Sequence, residues 1–171
     1  METAVVIRAR LPAGLERLRR RSVAEARRGL PAHLTLLYPF VEAGQLDPAG
    51  RQAVAVVAAR HATFDYRLVS GARWPGVAYV AVDPVEPFVA LQADLARVFP
   101  DYPIYGEPGA FAFVPHVTVA EGAGTDEAAV LRESAWMSLP RTTRASALDV
   151  IADDGGGWRL VWRVRLARMP P

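Results

Sequence analysis

The sequence predicts an α+β protein of two lobes, each an antiparallel sheet backed by helices, with a functional cleft between them. Two observations carry this expectation. Segments that alternate like half-buried strands take turns with segments of helical periodicity along the whole chain. Two near-identical tetrads, His33-Leu34-Thr35-Leu36 and His116-Val117-Thr118-Val119, stand about half a chain apart, each entered through a proline. The chain therefore divides into similar halves, as an internal pseudo-two-fold would require. With 171 residues, 51% of them hydrophobic, residues 1–171 are expected to form a single two-lobed domain with a substantial core. Disordered and fibrous classes are excluded.

Positions 4–8 alternate as a first strand, and 14–28 read as one helix. Leu11, Leu15, Leu18 and Ala26 lie toward its apolar side, and its arginines form a solvated face. The first tetrad is the next strand, ended by Tyr38-Pro39-Phe40. Asp47 caps a second helix, with Pro48 at its first position. Positions 64–70 and 77–82 are strands separated by a turn over 71–76. Asp83-Pro84-Val85-Glu86 resembles a capping box and opens a third helix with Phe88, Leu91, Leu95 and Val98 on one side. The Pro- and Gly-rich stretch 100–109 delivers the chain to the second tetrad. Thr125-Asp126-Glu127 starts a fourth helix running to about Trp136. A hairpin of 145–152 and 158–167 closes the chain. Its second strand is expected to put Trp158, Leu160, Trp162, Val164 and Leu166 on one face and Arg159, Arg163 and Arg165 on the other.

The tetrads carry the chemistry. In a strand, His and Thr at i and i+2 share a face while the two apolar residues take the other. Each tetrad can sit on a core and aim an imidazole and a hydroxyl into one cleft, and two such strands supply a sufficient kit for acid/base attack on a phosphate ester. A lone histidine in an apolar strand is ordinarily a hydrogen-bonded structural residue. With only three histidines in the chain, two matching tetrads point instead to a shared site. The third histidine also reads His61-Ala62-Thr63, but it follows a helical run and is expected to sit on the helix's last carbonyls.

Composition removes other chemistries. All 20 basic residues are arginine, a planar fork suited to phosphate oxygens, although abundant Arg, Ala, Val and Gly with no Asn also fit a GC-rich coding bias. The net charge of +2 does not argue for non-specific nucleic-acid binding. Without lysine there is no Schiff base, no lysyl-nucleotide intermediate and no Walker-type phosphate loop. Without cysteine there is no thiol nucleophile, disulfide or thiolate metal site. No HExxH or comparable cluster occurs, so neither a metal nor another cofactor is expected. The start is too short and too soon charged for a signal peptide, and no apolar run spans a bilayer. The chain is read as a cytoplasmic monomer that makes no membrane contact.

The stretches Leu30-Pro31-Ala32-His33-Leu34-Thr35-Leu36-Leu37-Tyr38-Pro39-Phe40 and Phe113-Val114-Pro115-His116-Val117-Thr118-Val119-Ala120 resemble, flanks included, the two HxTx motifs of the two-histidine (2H) phosphoesterase superfamily. That superfamily includes bacterial 2′-5′ RNA ligases and 2′,3′-cyclic phosphodiesterases. The resemblance covers most of the chain. It implies a two-lobed pseudo-symmetric fold and metal-independent chemistry on cyclic or 2′-5′ phosphodiesters, carried by His33, Thr35, His116 and Thr118. Some ligase-like relatives have a basic residue just after the second motif. This chain has Ala120-Glu121-Gly122 there, which weighs against binding of a long polyanionic RNA.

On chemical grounds alone, such a reaction needs one imidazole to deprotonate water and one imidazolium to protonate the leaving sugar oxygen. Sequence assigns His116 as base and His33 as acid, with Thr35 and Thr118 donating to the non-bridging oxygens. Tyr38, Trp74, Tyr105 and Phe111 lie near the motifs and are candidates to stack on a nucleobase. The expected activity is hydrolysis of a small nucleotide or RNA-end phosphodiester. A 2′-5′ RNA ligase-like enzyme running the same chemistry in reverse, and a non-catalytic nucleotide- or RNA-binding module, are the alternatives.

Overall fold

The protein is described by a computed structural model over residues 2–42, 44–106 and 112–168. Its strands are β1 (Glu2–Arg8), β2 (His33–Leu37), β3 (Phe64–Trp74), β4 (Val77–Asp83), β5 (His116–Glu121), β6 (Arg141–Ala145), β7 (Ala147–Asp153) and β8 (Trp158–Arg165). They form two antiparallel sheets of four strands, ordered β2-β1-β7-β8 and β5-β4-β3-β6. Each sheet therefore begins with a tetrad strand at its edge, so the halves correspond strand for strand. The helices are α1 (Ala13–Ser22), α2 (Ala24–Arg27), α3 (Pro48–Arg60), α4 (Glu86–Val98) and α5 (Glu127–Leu131). Helix α1 packs on β5 and α4 on β2, so each half's helix supports the other half's tetrad strand. One buried cluster, from Val5 and Leu34 through Leu15 and Leu91 to Val80 and Val117, joins both sheets.

The pseudo-symmetry extends to the ladder. Arg8 and Val6 stand opposite His33 and Thr35, as Ala81 and Tyr79 stand opposite His116 and Thr118. Past each threonine the register skips one residue, Leu36 in β2 and Val119 in β5. Leu36 with Leu37, and Val119 with Ala120, are thus consecutive buried pairs. A bulge of this kind bends the strand and re-aims its side chains.

Several elements differ from the sequence expectation. The single helix over 14–28 is broken by Val23, which is extended (φ −120°, ψ 115°) and buried, as β-branching and the adjoining cavity favour. Strand β3 runs through the expected turn to Trp74, leaving only Pro75-Gly76 to reverse the chain. Gly71 serves close approach: a Cβ there would lie 2.5 Å from Leu131 Cδ2 and 2.9 Å from Trp136 Cε3. Asp83 ends β4 and pairs with Arg67 at 2.8 Å, so it caps nothing, and α4 begins at Glu86 without a side-chain cap. Helix α5 stops at Leu131, and Trp136 falls in a separate 3₁₀ turn, Ser134–Ser138. The polar segment Arg141–Ala145 forms an edge strand that carries no apolar alternation to reveal it. In β8, Leu160 faces Ile151 but Trp162 faces Val150, so Val161 is skipped and the faces exchange. Trp158 joins Ala4, Val6 and Ile151 while Trp162 and Val164 pack on the main core, against the single apolar face expected. Asp47 does accept from Gly50 N at 2.7 Å, with Pro48 opening α3 as expected.

Candidate active site

Alternation on β2 and β5 sends Leu34 and Val117 to the core and keeps His33, Thr35, His116 and Thr118 on the opposite face. These four side chains line one cavity of about 310 Å³ between the sheets. The two imidazoles are anchored alike. His33 Nδ1 donates to the Pro31 carbonyl at 2.7 Å, and His116 Nδ1 donates to the Val114 carbonyl at 2.7 Å. A carbonyl only accepts, so the neutral rings carry their proton on Nδ1 and keep the lone pair on Nε2. His33 Nε2 accepts from the Thr35 hydroxyl at 3.1 Å.

Their surroundings differ. Burial holds His33 down to about 4, the charges of Arg19 and His116 act in the same direction, and the Pro31 bond opposes them. Burial also lowers His116, against its bond to Val114. The His116 ring meets Trp74 edge-on, centroids 4.8 Å apart, and Tyr79 at 5.3 Å, while those two aromatics stack on each other at 4.0 Å.

The family model of the 2′-5′ RNA ligase superfamily matches residues 7–157, a span that contains both tetrads. The chain belongs to the 2′-5′ RNA ligase superfamily. No curated protein matches it. Solved structures share its fold from end to end. TT0787 of Thermus thermophilus is 19% identical, with a TM-score of 0.67 over 98% of this chain and 99% of that one. E. coli LigT complexed with 3′-AMP is 18% identical, with a TM-score of 0.53 over 98% of each chain. A phosphoesterase is 17% identical, with a TM-score of 0.55 over 98% of each.

Within this superfamily fold, the remaining candidates are placed unevenly. Tyr38 and Tyr105 line the cavity, and the Tyr105 hydroxyl meets Thr35 while its backbone N–H donates to the Tyr38 carbonyl. Trp74 does not line it and reaches the site only through the His116 ring. Phe111 lies outside the described residues. His61 is remote from the cavity: it ends α3, but its ring nitrogen pairs with Asp94 of α4 at 2.8 Å instead of with the helix's own carbonyls. Among the described residues, no three His, Cys, Asp or Glu side chains gather as a metal site would require, and no helix is long and apolar enough to cross a membrane.

Three further wall residues, Arg19, Glu25 and Trp158, were not assigned to a site from sequence, and Glu121, noted there for following the second motif, lines the wall with them. Arg19 is 2% exposed and donates to the Leu30 carbonyl and to the Pro31 carbonyl, both at 3.0 Å. One carbonyl thus accepts from both Arg19 and His33. The signal for Arg19 was its position four residues after the apolar Leu15, inside a run otherwise read as solvated. Glu121 is raised by burial, and Arg19's charge opposes that rise. Glu25 accepts from Trp158 Nε1 at 2.7 Å and pairs with Arg28 at 2.8 Å, which fixes a second carboxylate in the wall.

Proposed function

We propose that this chain is a phosphodiesterase that hydrolyses a 2′,3′-cyclic phosphate, or a related 2′-5′ phosphodiester, by acid/base catalysis between His33 and His116. The observation that carries the proposal is the matched Nδ1-to-carbonyl anchoring of two histidines that line one cavity, which keeps both Nε2 lone pairs off the backbone, that of His33 meeting the Thr35 hydroxyl. Solved LigT complexes with 3′-AMP, ATP and NADP+ support a nucleotide as the ligand.

In the forward step one imidazole takes a proton from water, whose oxygen bonds to phosphorus. The bond from phosphorus to one ribose oxygen breaks, and the second imidazolium protonates that oxygen, giving a phosphomonoester and a free hydroxyl. Sequence alone assigns the base to His116, but the unequal surroundings favour the reverse. His33, held to about 4, is neutral near pH 7 and takes the base role, and His116, lowered by burial without the added charge of Arg19, supplies the proton. Thr35 and Thr118 stand one alternation from the imidazoles and donate to the non-bridging oxygens as charge develops there. Ligation of a 2′,3′-cyclic phosphate to a 5′-hydroxyl is the same displacement with that hydroxyl in place of water, and re-formation of the cyclic phosphate from the 2′-5′ diester is its reverse, with the roles of the two imidazoles exchanged.

The test is turnover across nucleoside 2′,3′-cyclic phosphates and 2′-5′ dinucleotides. His33→Ala and His116→Ala should each cost about 100-fold or more, and Thr35→Ala or Thr118→Ala roughly 10-fold, in kcat. Full activity in a folded His33→Ala or His116→Ala protein would refute the proposal and leave a binding module.

A further inference from the structure

Beyond the cavity, the sheet that carries His33 continues into a second and larger depression. It encloses about 1030 Å³ and is floored by β1, β7 and β8 and walled by β6 and the chain around Thr63 and Arg168. Seven arginines line it, with Asp149 as the single carboxylate. Asp149 is 1% exposed and pairs with Arg8 at 2.5 Å and Arg163 at 2.6 Å, so its charge is consumed within the floor. Among the described residues no carboxylate pairs with Arg10, Arg141, Arg165 or Arg168. A concave surface with this surplus of guanidinium forks suits a chain of phosphates.

Its position narrows the occupant. Arg8 is the cross-strand neighbour of His33, and Val6 stands between Thr35 on one side and Asp149 on the other. Directly opposed residues share a face, so the arginine floor begins one ladder position from the catalytic imidazole. Arg163 and Arg165 follow at alternate positions of β8, roughly 7 Å apart, comparable with the step between phosphates of an extended strand. The cavity, by contrast, has Glu25 and Glu121 in its walls. The basic surface that Glu121 denies the cleft is supplied on the same sheet, past β1.

We propose that this arginine groove binds the phosphodiester backbone of a single-stranded RNA whose terminal cyclic phosphate occupies the His33/His116 cavity. The inference rests on the phosphodiesterase reading for the end group and extends it from a mononucleotide to an oligonucleotide. Backbone contacts from arginine carry little sequence information, so selectivity is for length and not for base.

The test uses the full chain with the double variant Arg141→Gln/Arg165→Gln, both positions being exposed and outside the cavity. The probes are a fluorescent 12-mer single-stranded RNA ending in a 2′,3′-cyclic phosphate, the corresponding mononucleotide, and a poly-glutamate peptide of matching charge. Affinity for the RNA should fall about 10-fold, and the log–log salt slope should flatten by about 1.4, at about 0.7 for each phosphate no longer neutralised. Turnover of the mononucleotide should be unchanged. Equal RNA affinity in parent and variant, or poly-glutamate binding as tightly as RNA, would overturn the groove while leaving the hydrolytic reading standing. RNA binding that depends on the arginines with no turnover of any substrate would uphold the groove and overturn hydrolysis.

Discussion

Arg19→Met isolates the contribution of a buried cation in the cavity wall that hydrogen-bonds the backbone holding His33. Methionine keeps much of the length and apolar stem but removes both donors. Those donors hold the Leu30 and Pro31 carbonyls at 3.0 Å each. Hydrogen bonds from a charged group contribute roughly 1.5–3 kcal/mol each, and the desolvation of a guanidinium offsets part of that. Taking the low end for both gives a loss of about 3 kcal/mol. At about 2–4 °C per kcal/mol for a protein of this size, Tm should fall by about 6–12 °C.

The same substitution has an electrostatic signature that a purely structural role would not produce. Arg19's positive charge helps to lower His33, so its removal must raise the His33 pKa, while burial, the larger cause, keeps it below the ordinary imidazole value. If His33 is the base, the acid limb of kcat/KM moves to higher pH. Thermal unfolding and a pH–rate series on the same preparation measure both effects, with Arg20→Met, an exposed neighbour paired to Glu16, as control. An Arg19→Met protein with the parent's Tm and an unmoved acid limb would show that the Arg19–Pro31–His33 connection carries neither stability nor charge.

Three further outcomes are expected. The kcat/KM profile should be bell-shaped, rising through His33 at about 4 and falling through His116, which burial keeps below 6.5, so its maximum lies on the acid side of neutrality; a plateau from pH 6 to 9 would contradict it. His61→Ala should leave kcat within a few-fold of the parent, because the ring pairs with Asp94 away from the cavity, and a collapse like that of His33→Ala would place the site wrongly. Turnover should survive exhaustive chelation, and activity lost to EDTA and restored by a divalent ion would contradict catalysis by two histidines alone.

The sequence disclosed the tetrads because an i, i+2 pair on an apolar strand leaves little choice about which way its side chains face. Asp47 and Pro48 were equally legible, since helix capping is local chemistry. What escaped was set by tertiary packing. Arg19 is one of several arginines in its helix, and only the packing of α1 on β5 distinguishes it from its exposed neighbours. The skipped residues Leu36, Val119 and Val161 are ordinary strand formers, so no residue type marks the bulges. Gly71 looked like a turn because glycine serves turns and close approaches alike, and the deciding partners, Leu131 and Trp136, lie about sixty positions away. Strand β6 presents polar residues because one edge of it is open to solvent, the pattern that conceals an edge strand from periodicity arguments.

Acid/base catalysis requires two imidazoles that differ, yet a duplicated half supplies two that are alike. The fold keeps the anchoring symmetric: a carbonyl two residues upstream, a bulge after the threonine, and an edge strand backed by the other half's helix. The difference is placed one layer out. Arg19 donates to the carbonyl that holds His33, and Arg8 stands across the ladder from it. The corresponding ladder position beside His116 is Ala81, and its ring faces the stacked Trp74 and Tyr79. Arg19's charge disfavours protonation of one ring, whereas the aromatic pair beside the other presents a π-system that tolerates an imidazolium. The asymmetry that the proposed proton transfer would use therefore lies in Arg19, Trp74 and Tyr79, outside both tetrads, and exchanging those neighbours should exchange the roles.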